Sequence, residues 1–495
     1  MPKLKKVLAV RLKAFVSLFG ADVFETDGQV LFCKFCTKRV GAERRDQVQQ
    51  HIKSAKHQLA VQANNLSRQS LIPASKATED NSVNNVFARD LCNAFVSANI
   101  PLFKLTNDKL RDFLQRYTNK SVPDESTLRK NYVETLYKET LNEIRSAVGD
   151  NNIWFSVDET TDSKGQAIAN FIVGILSLES ENKSFLLNSE VLERTNSETV
   201  ATFVVDSLNI LWNQSLHYDR VLLVVTDAAA YMVKAIKGLQ ILFPKVIHLT
   251  CLAHGLHRVA ETVRGNFPSV DKLVGVVKRI YKKSPRRIRA FKEKFPSTPL
   301  PPSPVQTRWG TWLTAVTYFA NYFGEIKACI SELPDDDSAS IPTAKALLEE
   351  DSITAELAFI SDNYAPLVSS IHKLEHSSLP LCESLSVVKE AVAKVTQVPG
   401  ERGKAIANKM NSVLSKNTGF QKINAIASIL SGEVSNVDIN LTPSQINSFK
   451  CAPVTSTDVE RSFSIYKHIL DDRRCRLTQQ HMKWMLVIYC ASSGK

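Results

Sequence analysis

The chain of 495 residues has no uninterrupted run of about 18 apolar residues, so no membrane-spanning helix is expected. Its first segment also lacks the continuous apolar stretch of a secretory signal, because Arg11 and Lys13 interrupt it, and secretion is not expected. Cysteine is sparse. Nine residues scattered along the length do not make a disulfide framework, which predicts reduced thiols in the cytosol or nucleus. Acidic residues are in deficit: 50 Asp and Glu face 62 Lys and Arg, a formal charge of +12 that points to a polyanionic partner. Hydrophobic residues, at 44%, suffice for globular domains, and the length calls for about two or three of them.

The positive charge is unevenly placed. Residues 1–70 hold 13 Lys and Arg against 5 Asp and Glu. A second basic run extends from Lys272 to Lys294, where Lys282, Lys283, Arg286 and Arg287 cluster and Glu293 is the one acid. Such clusters suit contact with a phosphate backbone, although a solvated helix face has the same composition.

Periodicity divides the chain. Residues 1–18 predict a basic amphipathic helix with Leu4, Leu8, Leu12 and Phe15 on one face, which could also serve in nuclear import. A Ser-, Asn- and Gln-rich stretch over 62–85 predicts a linker. Helices are expected over 86–98, 105–117 and 124–148, broken by Pro101 and Pro123. From residue 150 the order becomes β-β-β-α-β-α-β-α, with strands at 153–157, 167–178, 184–192, 221–226 and 246–249. This is an α/β class with a mixed sheet and one very apolar central strand. Residues 264–445 are mostly helical. The expected units are thus 1–65, a linker over 66–85, 86–148, 149–263, 264–445 and 446–495.

Four motifs carry chemistry. Cys33 and Cys36, followed by His51 and His57, offer two thiolates and two imidazoles for a tetrahedral Zn²⁺. A helix from Gln47 to His57 is expected to present both histidines. A unit this small cannot bury much core, so zinc would supply folding free energy. Lys34, Lys38, Arg39, Arg44, Arg45 and Lys53 around it are available for phosphate and base contact. Asp158 ends the first strand, with Asp162 in the turn beyond. Asp227 ends the most apolar strand, where it could also cap the following helix. In neighbouring strands Asp158 and Asp227 would come within metal-bridging reach. Glu460 lies on an expected C-terminal helix; by spacing alone it is an ordinary surface glutamate.

Asp158, Asp227 and the Glu460 of Val459–Ser464 (Val-Glu-Arg-Ser-Phe-Ser) together resemble the DDE triad of hAT-superfamily transposases. Cys251-Leu252-Ala253-His254 resembles that family's Cys/Asp-x-x-His motif, and Arg308-Trp309 its Arg-Trp motif. Residues 440–490 resemble its C-terminal dimerisation region. Residues 20–60 resemble a BED-type zinc finger. Residues 86–135 resemble the helical region of the CGG triplet repeat-binding protein family, through Ala98–Leu102 and Leu128–Tyr132. The resemblance implies an RNase H-like core interrupted by an all-α insertion, and preceded by a zinc finger and a helical segment. It implies Mg²⁺ (or Mn²⁺) on Asp158, Asp227 and Glu460, with cleavage of double-stranded DNA at transposon ends, hairpin formation and strand transfer. It further implies a homodimer or larger assembly working in the nucleus. Arg308 would contact the phosphate of a displaced nucleotide and Trp309 would stack on its base; Cys251, His254 and His257 would contact DNA or serve the structure. The runner-up is a domesticated, transposase-derived DNA-binding regulator that no longer cuts; all three carboxylates being present favours the enzyme.

Overall fold

The computed structural model describes residues 2–66, 79–177, 183–213, 217–305, 310–376, 379–433, 437–470 and 477–493. A small antiparallel sheet comes first, with β1 (Phe24–Thr26), β2 (Leu31–Cys33) and β3 (Lys38–Val40) in sequence order. The helix Pro2–Phe19 is part of this unit. Its Leu12 and Phe15 join Phe24, Leu31, Cys33, Val40, Ala42 and Val48 in a small separate core. A continuous helix through both histidines does not form. Helix Arg45–Lys53 stops at Ser54, and a second helix, Ala55–Leu66, begins. Six positions on an unbroken helix turn a side chain through about 600° and leave it on another side, so one straight helix could not aim both rings at one point. Ser54 makes the break by donating its hydroxyl to His51 O (2.7 Å) and accepting from His57 N (3.3 Å).

The expected linker is shorter than its composition implied: helix Glu79–Ser97 starts inside it, and residues 67–78 lie outside the described ones. The single helix expected over 124–148 is two, Glu125–Asn131 and Val133–Val148, meeting at Tyr132.

The second sheet has five strands: β4 (Asn152–Thr161), β5 (Ala167–Leu176), β6 (Ser184–Leu192), β7 (Val221–Thr226) and β8 (Ile247–Thr250), in the spatial order β6-β5-β4-β7-β8. The pairs β4–β5 and β5–β6 are antiparallel, and β4–β7 and β7–β8 are parallel. All six β7 residues are buried, as a parallel strand covered on both faces requires. Gly174 lies opposite Trp154, where a Cβ would meet the indole at 2.1 Å, so the sheet needs glycine there to hold the tryptophan. Helix Ser197–Trp212 connects β6 to β7. Asn196 caps it by accepting from Glu198 N and Thr199 N. Helix Ala230–Leu239 connects β7 to β8.

After helix Leu252–Asn266 the chain runs through helices from Pro268 to Leu430 before returning to the sheet. This helical insertion grips the edge strand β8 by an amide. Asn417 Oδ1 accepts from Thr250 N (3.0 Å) and Asn417 Nδ2 donates to Thr250 O (2.7 Å). Gly419 lies so close that a Cβ would be 2.1 Å from His248 O. Helix Thr457–Ile469 then packs on β4 and β5, where buried Asn170 donates to Ser462 Oγ (2.7 Å). Helix Gln479–Ser493 lies on β6 and against Val133–Val148, burying Met482, Met485, Leu486, Val487 and Ile488 within the same chain. Among the described residues no helix is long and apolar enough to cross a membrane.

Candidate metal centres and nucleic-acid interface

The first site is a Cys2His2-like zinc-binding group. Cys33 ends β2, and Cys36 sits in the turn before β3, where Thr37 adopts φ 48°. Cys36 N–H points at Cys33 Sγ (3.4 Å), as in a knuckle that turns two sulfurs the same way. His57 Nδ1 is 3.5 Å from Cys33 Sγ and 3.3 Å from Cys36 Sγ. One ligand atom from each of Cys33, Cys36, His51 and His57 lies within 4.8 Å of all the others. His57 is 4% exposed and stacks on Phe24, with the ring planes 5° apart. Burial lowers the pKa of both histidines, so their lone pairs are free, and pushes the Cys33 thiol up to about 11. A bound cation reverses the penalty on the thiolate. The donor set therefore fits zinc.

Around this group Arg39, Arg44, Arg45 and Lys53 are exposed, with Arg44 and Arg45 at the start of helix Arg45–Lys53. Lys34 is engaged within the finger: it donates to Ala21 O (2.9 Å) and lies 3.7 Å from Glu25. Lys38 is half-buried on β3. In the second basic run Lys282 and Lys283 form an exposed turn, Arg286 pairs with Asp337 (3.5 Å), and Arg287 Nε donates to Ser284 Oγ (2.8 Å).

The second site is acidic. Ser156 of β4 is paired with Val225 of β7, so the parallel register carries Asp158 and Asp227 to the same end of adjacent strands. Asp158 Oδ1 accepts from Glu159 N (2.9 Å), and Asp227 Oδ1 from Ala229 N (3.1 Å) in the turn ahead of helix Ala230–Leu239; the N-cap of that helix is Ala229, so Asp227 does not cap it as the sequence allowed. Helix Thr457–Ile469 brings Glu460 to this end. Desolvation holds the Asp158 carboxyl well above its usual range. The charges of Asp227, Glu460 and Glu159 push the same way, and His254 opposes them. Glu460 is raised to about 7 by desolvation, with His254 again opposing. His254 Nε2 lies 3.4 Å from Glu460 Oε1 but out of alignment, so that buried oxygen accepts no hydrogen bond. Asp158, Asp227 and Glu460 are not drawn within 4.8 Å of one another as the zinc ligands are. Burial raises Asp158, Glu460 and Glu159 at one end of the sheet, and Glu460 Oε1 is buried without a hydrogen-bond partner, the type of oxygen donor that suits a hard cation.

Cys251 and His254 hold this corner together. Cys251 is 1% exposed, and its sulfur accepts from His254 N (3.5 Å) and Ser456 N (3.3 Å). Ser456 Oγ is 3.5 Å from His254 Nδ1. Cys251 N donates to Thr226 O (2.7 Å) and Leu252 N to Val454 O (3.0 Å), which stitches the strand that ends at Asp227 to the segment that carries Glu460. His257 is half-buried, its Nδ1 without a hydrogen-bond partner. Arg308 and Trp309 lie outside the described residues.

Sequence reasoning passed over several participants. Glu159 is raised to about 7 by desolvation and by Asp227, and its Oε2 is buried without a partner; its adjacency to Asp158 was the available signal. Buried His248, held neutral by a pKa near 4, bonds Thr226 Oγ1 (2.8 Å), which donates to Asp227 O (2.7 Å). Asn417, which ties the insertion to β8, has no local signal at all.

Three family models match the chain. A CGGBP1 N-terminal domain covers residues 8–63 and a CGGBP1 helical domain covers 78–135. A domain of unknown function, DUF659, covers 123–280; it takes in Asp158, Asp227, Cys251 and His254 and ends before Glu460. No curated protein matches. The chain is thus similar to CGGBP1 over its N-terminal region and to DUF659 beyond it, a combination that matches a resemblance to hAT-transposase-like proteins.

Proposed function

We propose that the chain is a metal-dependent DNA transposase of DDE type, with Asp158, Asp227 and Glu460 as its catalytic carboxylates. The observation that carries this reading is their convergence. Asp158 within β4, Asp227 just past β7 and a glutamate 233 residues beyond Asp227 come to one end of the sheet, where the charges of Asp227 and Glu460 help to raise the Asp158 carboxyl. The strand order β6-β5-β4-β7-β8, with three antiparallel strands followed by two parallel ones, supports an RNase H-like core. Mg²⁺ or Mn²⁺ held by these carboxylates would supply Lewis-acid stabilisation of the charge on a phosphodiester undergoing attack.

The chain's own residues do the rest. Asp158 and Asp227 are fixed by backbone amides, and so stay aimed at one end of the sheet. Cys251 and Ser456 fix the approach of the Glu460 helix. His254 supplies an imidazole between Glu460 and Asp158, able to steady their charge. The zinc finger, of BED type in this reading, would bind transposon-end duplex through Arg44, Arg45, Arg39 and Lys53. Lys282, Lys283, Arg286 and Arg287 would follow the flanking DNA. Arg308 and Trp309 are assigned to a displaced nucleotide. The protein would act in the nucleus as a homodimer or larger assembly.

The test is cleavage of labelled duplex carrying the element's end, with Mg²⁺, by wild type and by Asp158→Asn, Asp227→Asn and Glu460→Gln. Cutting by wild type and none by any variant is expected. Cutting that survives each substitution refutes the triad. Tight binding without cutting under any divalent metal replaces the enzyme with a transposase-derived DNA-binding regulator.

A further inference from the structure

Helix Asp108–Thr118 buries none of its residues completely, yet its orientation is set. Leu110 and Leu114 pack toward the core, while Arg111 donates to Val122 O (2.9 Å). The opposite face, read at steps of three and four, carries Lys109, Asp112, Phe113, Arg116 and Tyr117, and Lys120 follows just beyond the left-handed cap Asn119. Phe113 is 55% exposed and Tyr117 is 73% exposed. Their ring centroids are 4.9 Å apart, tilted by 46°, so the two make one continuous aromatic surface. Lys109 and Arg116 enter no ion pair among the described residues and flank the rings. Lys120 lies over the Phe87 ring (5.8 Å) and Lys104 over the Phe103 ring (5.3 Å), which extends the basic border. The fold derives little packing from these two rings, and adjoining exposed aromatics mark a contact surface.

We propose that this face is a second nucleic-acid contact, selective for unpaired strands: Phe113 and Tyr117 stack on bases while Lys109, Arg116 and Lys120 take the flanking phosphates. The charge pattern favours this occupant. A second copy packed symmetrically on the stripe would bring the same cations together, whereas a polyanion neutralises them. Duplex DNA keeps its bases stacked inside and offers no ring face to a helix surface; a single strand offers one at every base, with little dependence on sequence. In the proposed function the zinc finger engages duplex instead, so the two surfaces would see different substrates. The inference stands whether or not the carboxylates cut DNA.

The experiment measures the affinity of the full-length, zinc-loaded protein for fluorescent oligo(dT) and for a fluorescent duplex by anisotropy, across a salt titration. Phe113→Ala/Tyr117→Ala is expected to weaken oligo(dT) binding about tenfold or more and to leave duplex binding within about twofold. Tyr117→Phe, which keeps the ring, retains wild-type affinity. Lys109→Ala/Arg116→Ala lowers the salt dependence of oligo(dT) binding by about one phosphate contact or more. Unchanged oligo(dT) affinity in the aromatic double variant overturns the proposal. So does a change in sedimentation with oligo(dT) affinity intact, which assigns the face to a second copy of the chain.

Discussion

The finger and the carboxylate cluster are opposite settings for a metal, with the cation at the second site a proposal. The finger has a core of eight buried residues and four ligands already gathered within 4.8 Å. Its ligand geometry is complete, and its hydrophobic contribution is small. The carboxylate cluster sits on a five-stranded sheet inside the main core, whose buried apolar cluster is far larger than the finger's. There the acids stand apart, and desolvation, with neighbouring carboxylates adding to it, raises the proton affinity of Asp158 and Glu460. In the first case metal completes a small fold; in the second, as proposed, a cation would offset the burial of charge within a large one. The difference lies in how much apolar surface surrounds each site.

The comparison breaks most visibly when zinc is removed. Structural zinc in finger peptides contributes about 10–16 kcal/mol of apparent binding free energy. Cys36→Ser, or a strong chelator, is therefore expected to unfold residues 20–66 and abolish duplex binding, while the main thermal transition stays in place; calorimetry with anisotropy checks both. The mirror case is Asp227→Asn. Cleavage is expected to fall about a thousandfold or more, while melting temperature holds or rises because a like charge is gone. A drop in melting temperature matching that of a core deletion would remove the distinction.

Smaller effects sharpen it. Asn417→Ala removes both bonds to Thr250 and is expected to lower stability by about 1–3 kcal/mol and to speed hydrogen exchange at β8, without disturbing the finger. Glu460→Gln tests the burial of charge through pH. In the fold this carboxyl is raised from 4.5 to about 7, so the fold binds its proton more tightly than the unfolded chain does. The corresponding stability is full below about pH 4.5 and is lost as pH rises through about 7. Relative to wild type, the glutamine variant is expected to gain on the order of 1 kcal/mol between pH 5 and pH 8, read from denaturant midpoints. The smallest effect belongs to Arg44→Ala, which is expected to lower the salt slope of duplex binding by about one, with no change in melting.

Local chemistry was legible in the sequence and long-range chemistry was not. Cys33, Cys36, His51 and His57 stood out by type and spacing. The break at Ser54 that lets both histidines point inward follows from helix geometry, although the run itself reads as one helix. The strands of the sheet were legible because β7 is apolar up to Thr226, β5 is nearly so, and β4 carries the apolar run Ile153–Phe155 with Val157. Glu460 had no mark in spacing or periodicity, and only the resemblance carried by Val459–Ser464 singled it out. Its position depends on Cys251, Ser456 and the Asn170–Ser462 bond, all formed across hundreds of residues. Asn417 and Gly419 were illegible for the same reason: their partner is the backbone of an edge strand, which has no side-chain signature. The onset of helix Glu79–Ser97 inside a polar stretch was hidden because composition there resembles a linker.

Two metals are proposed to do different work in one chain, and hydrogen exchange measured without metal, with Zn²⁺ alone, and with Zn²⁺ and Mg²⁺ tests that directly. The expected result is that Zn²⁺ protects residues 20–66 and leaves the sheet unchanged. Mg²⁺ then protects the ends of β4 and β7 and helix Thr457–Ile469, and this second change is lost in Asp227→Asn. Protection of the sheet by Zn²⁺, or no response of those segments to Mg²⁺, would contradict it.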